Sequence, residues 1–122
     1  MTETFGKTLR NLRLEAEVGL RELARMINKS PGYLSDVENG LVPPPSEAVI
    51  IDIAEALRVD KKELLQAARK VDPELSEYVA DQPQAADFLR EAKDKKFSEE
   101  DWETITQLAK IAKLGKGEEE EP

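Results

Sequence analysis

Apolar residues recur along the first part of the chain at the spacing of helices rather than strands. Phe5, Leu9, Leu12 and Ala16 stand at i, i+4, i+7 and i+11, one stripe on a first helix predicted from about Thr4 to Glu17. A short second helix starts at Gly19, a tolerated N-cap, with Glu22 in the first turn where the helix dipole favours an anion. Its inward side is Leu20 or Leu23, with Ala24 and Ile27. Ser30 then offers a capping hydroxyl, and Pro31 falls at the first helical position, where a missing N–H costs nothing; "ENG" ends this third helix at Gly40. The prolines of "LVPPPS" push the residues before them out of helical conformation. Ser46 caps a fourth helix carried by Val49 or Ile50, Ile53, Ala54 and Leu57. Asp60, with Glu63 three positions on, opens a fifth through "KKELLQAARK", which buries Leu64, Leu65 and Ala68. Alternating runs bounded by hairpin turns are absent, so no strand is predicted. The expected fold class is all-α, a five-helix unit over residues 4–70 followed by a small helical appendage.

The appendage, residues 72–114, reads as two or three helices: Asp72 caps and Pro73 starts one, Pro83 starts another, and Ser98 caps the last. Their apolar faces are Leu75, Tyr78 and Val79; then Phe88, Leu89 and Ala92; then Trp102, Ile105, Leu108 or Ala109, and Ala112. Faces this narrow on short helices do not make a large core alone. They pack within one chain or they bring chains together, and Phe88, Leu89, Trp102, Ile105 and Leu108 are the expected dimerisation surface. Residues 115–122, with "EEEE" and no apolar side chain, read as a disordered acidic tail.

Composition narrows the chemistry. The 122 residues include no Cys and no His, which excludes disulfides, thiol and histidine catalysis, and zinc sites built on those ligands. The carboxylates fall at helix starts and on solvated faces rather than in a catalytic constellation, so no enzyme, metal site or cofactor is expected. The start "MTETFGKTLRNLR" lacks the apolar core of a secretory signal, and no run approaches the roughly 20 apolar residues of a membrane span. A cytoplasmic location without membrane attachment is the expectation. The net charge of −8 looks wrong for a nucleic-acid binder, but its distribution matters more: 11 cations stand against 11 anions over residues 1–70, and 7 against 15 thereafter. In the neutral part Lys7, Arg10 and Arg13, then Arg21, Arg25 and Lys29, gather on short helical stretches. They are either ordinary solvated charges or a local positive face.

"LRELARMINKSPGYLSDVENG", followed by "PPPSEAVIIDIAEALRVDKKELL", resembles the helix-turn-helix domain of the Xre and phage-repressor family of transcription regulators. The likeness runs from Phe5 to Leu65, and its force lies in an ordered series: Leu23-Ala24, the Ser30 cap, Tyr33-Leu34, Glu38-Asn39-Gly40, a proline-containing loop, and Ile53-Ala54 with Leu57. The resemblance implies that the third helix, about residues 30–38, enters the major groove, that the second crosses the DNA backbone, and that a dimer reads two half-sites of a palindromic or pseudo-palindromic operator. It implies an ion pair between Arg13 and Glu38 that ties the first helix to the end of the third. With Leu34 and Val37 turned inward, Pro31, Gly32, Tyr33, Ser35 and Asp36 are left for the groove. Arg21, Arg25, Lys29, Ser30 and Asn39 are the expected backbone contacts, Asn39 being open to a second reading as a helix C-cap.

The departures from the family pattern matter as much. Leu20 stands where many members have a glutamine that buttresses the backbone contact, and Leu41, Val42 and Pro43 follow the turn where many have Arg or Lys. One bidentate base contact supplies about 1–3 kcal/mol, whereas specific sites are typically bound about 10³–10⁷ times more tightly than random DNA, which favours a dimer. The expected function is a sequence-specific DNA-binding transcriptional regulator, a dimeric repressor. Its rival is a protein-interaction module on the same scaffold, of the antitoxin or regulatory-partner kind, with a protein partner held by the C-terminal helices.

Overall fold

The computed structural model describes residues 4–113, and the predicted acidic tail lies outside them. Those residues form eight helices and no strand: α1 (Phe5–Glu15), α2 (Leu20–Met26), α3 (Pro31–Glu38), α4 (Glu47–Leu57), α5 (Lys61–Ala67), α6 (Pro73–Asp81), α7 (Pro83–Asp94) and α8 (Glu99–Ala112). The chain divides into two compact units, with the boundary after Tyr78, inside α6.

The first unit has one core. Leu9 of α1, Leu23 of α2, Leu34 of α3, Ile50 and Ile53 of α4, and Leu64 of α5 are fully enclosed in it. The choices left open by periodicity resolve toward Leu23 rather than Leu20 and Ile50 rather than Val49; Leu20 and Val49 are half-buried at the core's edge. Short polar residues begin these helices because their oxygens satisfy N–H groups that the first turn leaves unpaired. Thr4 accepts from the Lys7 amide, Ser30 from Tyr33, Ser46 from Val49 and Asp60 from Lys62.

The helix ends follow a different rule. After α1, α2, α4, α5 and α7 the chain turns through a left-handed residue that is not glycine: Glu17, Asn28, Arg58, Arg69 and Lys96; only after α3 is it Gly40. In each case the next amide donates back across the last turn, as Val18 to Arg13 O, Lys29 to Ala24 O, Leu41 to Asp36 O, Val59 to Ala54 O, Lys70 to Leu65 O and Phe97 to Ala92 O. This closure satisfies carbonyls that would otherwise be orphaned. It also ends α5 at Ala67, three residues short of the Lys70 expected from periodicity.

The second unit is thinly packed. Ala92 of α7 is buried, and Phe88, Phe97 and Trp102 meet edge to face with ring centroids 6.0, 6.0 and 5.1 Å apart. Ser98 and Asp101 exchange hydrogen bonds in a capping box that starts α8. Neither α6 nor α8 has a buried residue.

Candidate nucleic-acid interface

α3 is the centre of the site, and its position is set from behind. Leu34 and Val37 face the core, which turns Gly32 outward and leaves Pro31, Ser35 and Asp36 half-exposed, with Tyr33 half-buried against the core's edge. Ser30 caps the first turn at 3.1 Å from the Tyr33 amide, and Pro31 follows with no N–H to satisfy. An ideal Cβ on Gly32 meets nothing within 4 Å, so the first turn of α3 is open to solvent.

The far end of α3 is held by a buried ion pair. Arg13 Nε donates to Glu38 Oε2 at 2.6 Å and Nη2 to Oε1 at 3.0 Å, while Nη1 donates to the Val18 carbonyl at 3.0 Å. One guanidinium thus ties α1, the α1–α2 turn and the last turn of α3 together. The hydrogen bonds to Glu38 raise the Arg13 pKa above its ordinary value, against the opposing effect of burial. Arg10 Nε, on the exposed side, stands 4.0 Å from the same carboxylate. Sequence reasoning counted Arg10 only as part of a cationic cluster.

Gly6 is a second fixture of α3. A Cβ there would lie 2.4 Å from the Glu38 carbonyl oxygen and 2.7 Å from that of Val37, so α1 approaches the end of α3 backbone to backbone. A lone glycine inside a helical pattern is the signal that could have revealed this close packing.

The remaining site residues fall into groups. Lys29 lies over the Tyr33 ring at 5.9 Å from its centroid, the outer limit of a cation–π contact. Asn39 is exposed at the C-cap of α3 and its side-chain amide donates to Ser35 Oγ at 3.4 Å. Arg21 and Arg25 are exposed one turn apart on α2, and among the described residues no hydrogen bond or ion pair links either to α3. The loop after α3 adds no cation: Leu41 is exposed, and the open groove of about 410 Å³ between Leu41–Pro44 and the start of α1 has no charged residue in its lining. Among the described residues no cluster of His, Cys, Asp or Glu could hold a metal, and no helix is long and apolar enough to cross a membrane.

The sequence has relatives. The profile of the family described as "Helix-turn-helix domain" matches residues 4–67. An uncharacterized HTH-type transcriptional regulator of Mycobacterium tuberculosis is 38% identical over 76 residues, 62% of this chain and 54% of the relative. The HTH-type transcriptional repressor RghR of Bacillus subtilis is 36% identical over 66 residues, 54% of this chain and 49% of the relative. The chain spans about half the length of the curated relatives it matches. The crystal structure of the clp gene regulator ClgR from C. glutamicum is similar with a TM-score of 0.48 and 35% identity, over 53% of this chain and 83% of that one. With the matched residues 4–67 spanning α1 to α5, the chain belongs to the helix-turn-helix domain family.

Proposed function

We propose that this chain is a sequence-specific DNA-binding transcriptional regulator of the cytoplasm, a dimeric repressor that lays α3 in the major groove of each half of a two-fold operator. The observation that carries the reading is the first turn of α3: it is capped by Ser30, open at Gly32, and fixed from behind by Leu34, Val37 and the Arg13–Glu38 pair. Rigid support behind an exposed helix end is what base reading needs.

Tyr33, Ser35 and Asp36 supply the functional groups for bases. An aspartate accepts from cytosine N4, so Asp36→Ala changes the preferred base at one position of each half-site. Ser30, Gly32 and Asn39 suit phosphates at the two ends of α3, and Arg21, Arg25 and Lys29 add the sequence-independent attraction. Phe88, Leu89, Trp102, Ile105 and Leu108 pair two copies, so that two such helices act together; the same helices would seat any protein partner. Selection of bound sequences from a random duplex pool tests the reading. It is expected to return inverted half-sites about 34–36 Å apart, or a multiple of that. A pool with no enrichment after repeated rounds contradicts it and favours a protein-interaction module instead.

A further inference from the structure

The Arg13–Glu38 pair leaves a second arginine over. Both oxygens of Glu38 are taken by Arg13, at 2.6 and 3.0 Å, whereas Arg10 Nε stands 4.0 Å from Oε1, beyond hydrogen-bond reach. Arg10 meets no other acid among the described residues, and its side chain is 55% exposed. Two guanidinium groups around one carboxylate carry a positive charge in excess, and that charge lies toward solvent.

Helix geometry fixes which side of the molecule this is. Gly6 marks the line of α1 that meets the end of α3, because a Cβ there would lie 2.4 Å from the Glu38 carbonyl oxygen. At about 100° per residue, the buried Leu9 and Phe5 lie roughly 60° and 100° to one side of that line and Arg10 roughly 40° to the other. Arg10 is thus turned away from the core. On α3 the same spacing sets Glu38 about 40° from the core-facing Leu34 and about 60°, in the opposite sense, from the half-exposed Ser35. The contact with α1 therefore separates the core from the outward face that holds Ser35 and Asn39. Arg10 emerges on that outward face.

A helix with its side chains is about 10–12 Å across and fills a major groove about 12 Å wide, so a group just outside its flank meets the phosphates of the bordering strand. The loop after α3 runs beside the start of α1 and offers that strand only Leu41, Val42 and Pro43, none of them a cation. We propose that Arg10 binds a DNA phosphate on the strand bordering α3 along its α1 flank, and so supplies the cation that the loop lacks. The contact rests on the reading that α3 enters the groove, and it adds a residue to that site.

The test is fluorescence anisotropy over a range of salt, on a selected operator duplex and on a random one, with the parent, Arg10→Ala, Arg10→Lys and Gly32→Glu. Arg10→Ala is expected to lower the slope of log affinity against log salt by about 0.9 on both duplexes, weakening binding roughly eightfold at about 0.1 M salt and hardly at all near 1 M. Arg10→Lys keeps a cation that suits phosphate and restores the slope. Glu38 keeps both bonds to Arg13, so Arg10→Ala melts with the parent. An arginine that only braces Glu38 gives the opposite pair of results, a lowered melting temperature and a parental slope, which overturns the proposal. Uncharged methylphosphonates placed one at a time in the operator locate the contact: at one position on the bordering strand the parent loses affinity and Arg10→Ala does not. The absence of any such position also overturns it. Arg10→Ala with the parental slope, while Gly32→Glu loses the operator, removes this contact and leaves α3 in the groove; a parent that selects no operator, or Gly32→Glu binding it as the parent does, removes both.

Discussion

Two carboxylates show how the same kind of interaction has different weight in different places. Glu38 is enclosed with Arg13, and no buried polar side-chain atom among the described residues lacks a partner. Removing one member leaves the other charged, buried and unpaired, so Glu38→Ala is expected to cost about 3–5 kcal/mol in denaturant unfolding. Arg13→Met with Glu38→Leu leaves no orphaned charge and costs much less. Similar melting of Glu38→Ala and the parent would refute the structural role. Asp72 belongs to the surface. It caps the first turn of α6 through the Glu74 amide and takes Lys61 Nζ at 2.7 Å. Lys61 and then the Glu74 amide hold its carboxyl below the usual range, and Asp72 in turn raises Lys61. The stabilisation from Asp72 is therefore present above its unfolded pKa and lost as pH falls through the folded one; that from Lys61 is lost as pH rises through its raised value. Lys61→Met should move the Asp72 carboxyl pKa upward in an NMR titration. An unmoved value would mean that the capping bond alone sets it. The Arg13–Glu38 pair was legible in the sequence because a family pattern marks both positions. The Lys61–Asp72 pair was not, since residues 11 apart with a turn between them share no helical face.

At the scale of elements, helix starts were legible and, apart from the end of α3 at Gly40, helix ends were not. Each start in the first unit after α1 shows a glycine, serine or aspartate at the cap, with proline or an acid in the following turn. Five ends instead use left-handed residues other than glycine, and apart from Asn28, a residue type that tolerates this conformation, nothing in the sequence distinguishes them from their neighbours, which is why α5 was drawn to Lys70. Such a conformation costs an ordinary residue roughly 1–2 kcal/mol, partly offset when glycine enters by its greater freedom in the unfolded chain. Arg58, exposed at φ 58°, is a clear case. Arg58→Gly should stabilise the protein by up to about 1 kcal/mol, read as a raised thermal midpoint; a lower midpoint would mean the arginine side chain contributes more than the backbone loses. The approach of α1 to α3 makes the opposite prediction for Gly6. Gly6→Ala sets a methyl against two backbone oxygens that cannot rotate away, so α3 must shift at its end, at a cost of about 1–3 kcal/mol or more. Unchanged stability in the variant would show that the two helices separate freely.

For the whole molecule, acidic balance and DNA binding are compatible because the excess negative charge lies after residue 70, while Arg21, Arg25 and Lys29 are exposed and without ion-pair partners among the described residues. Each phosphate neutralised by one of these contributes about one unit to the slope of log affinity against log salt. Arg21→Ala and Arg25→Ala should each reduce that slope by about one and weaken binding to all sequences alike; unchanged slopes would place α2 away from the backbone. The order of the five-helix unit was legible because caps and periodicity agree there. The exposure of α8 was not, because an apolar helix face has the same pattern whether or not the chain covers it. The central claim, that the first turn of α3 enters the groove, is tested most directly at Gly32. The site has room for a side chain, and glutamate near a helix N-terminus does not destabilise the fold. It would, however, set bulk and negative charge against DNA. The measurement is fluorescence anisotropy of a selected operator duplex with the parent and with Gly32→Glu, alongside their melting curves. The account predicts equal melting and abolished binding for Gly32→Glu; equal melting with parental affinity would contradict it.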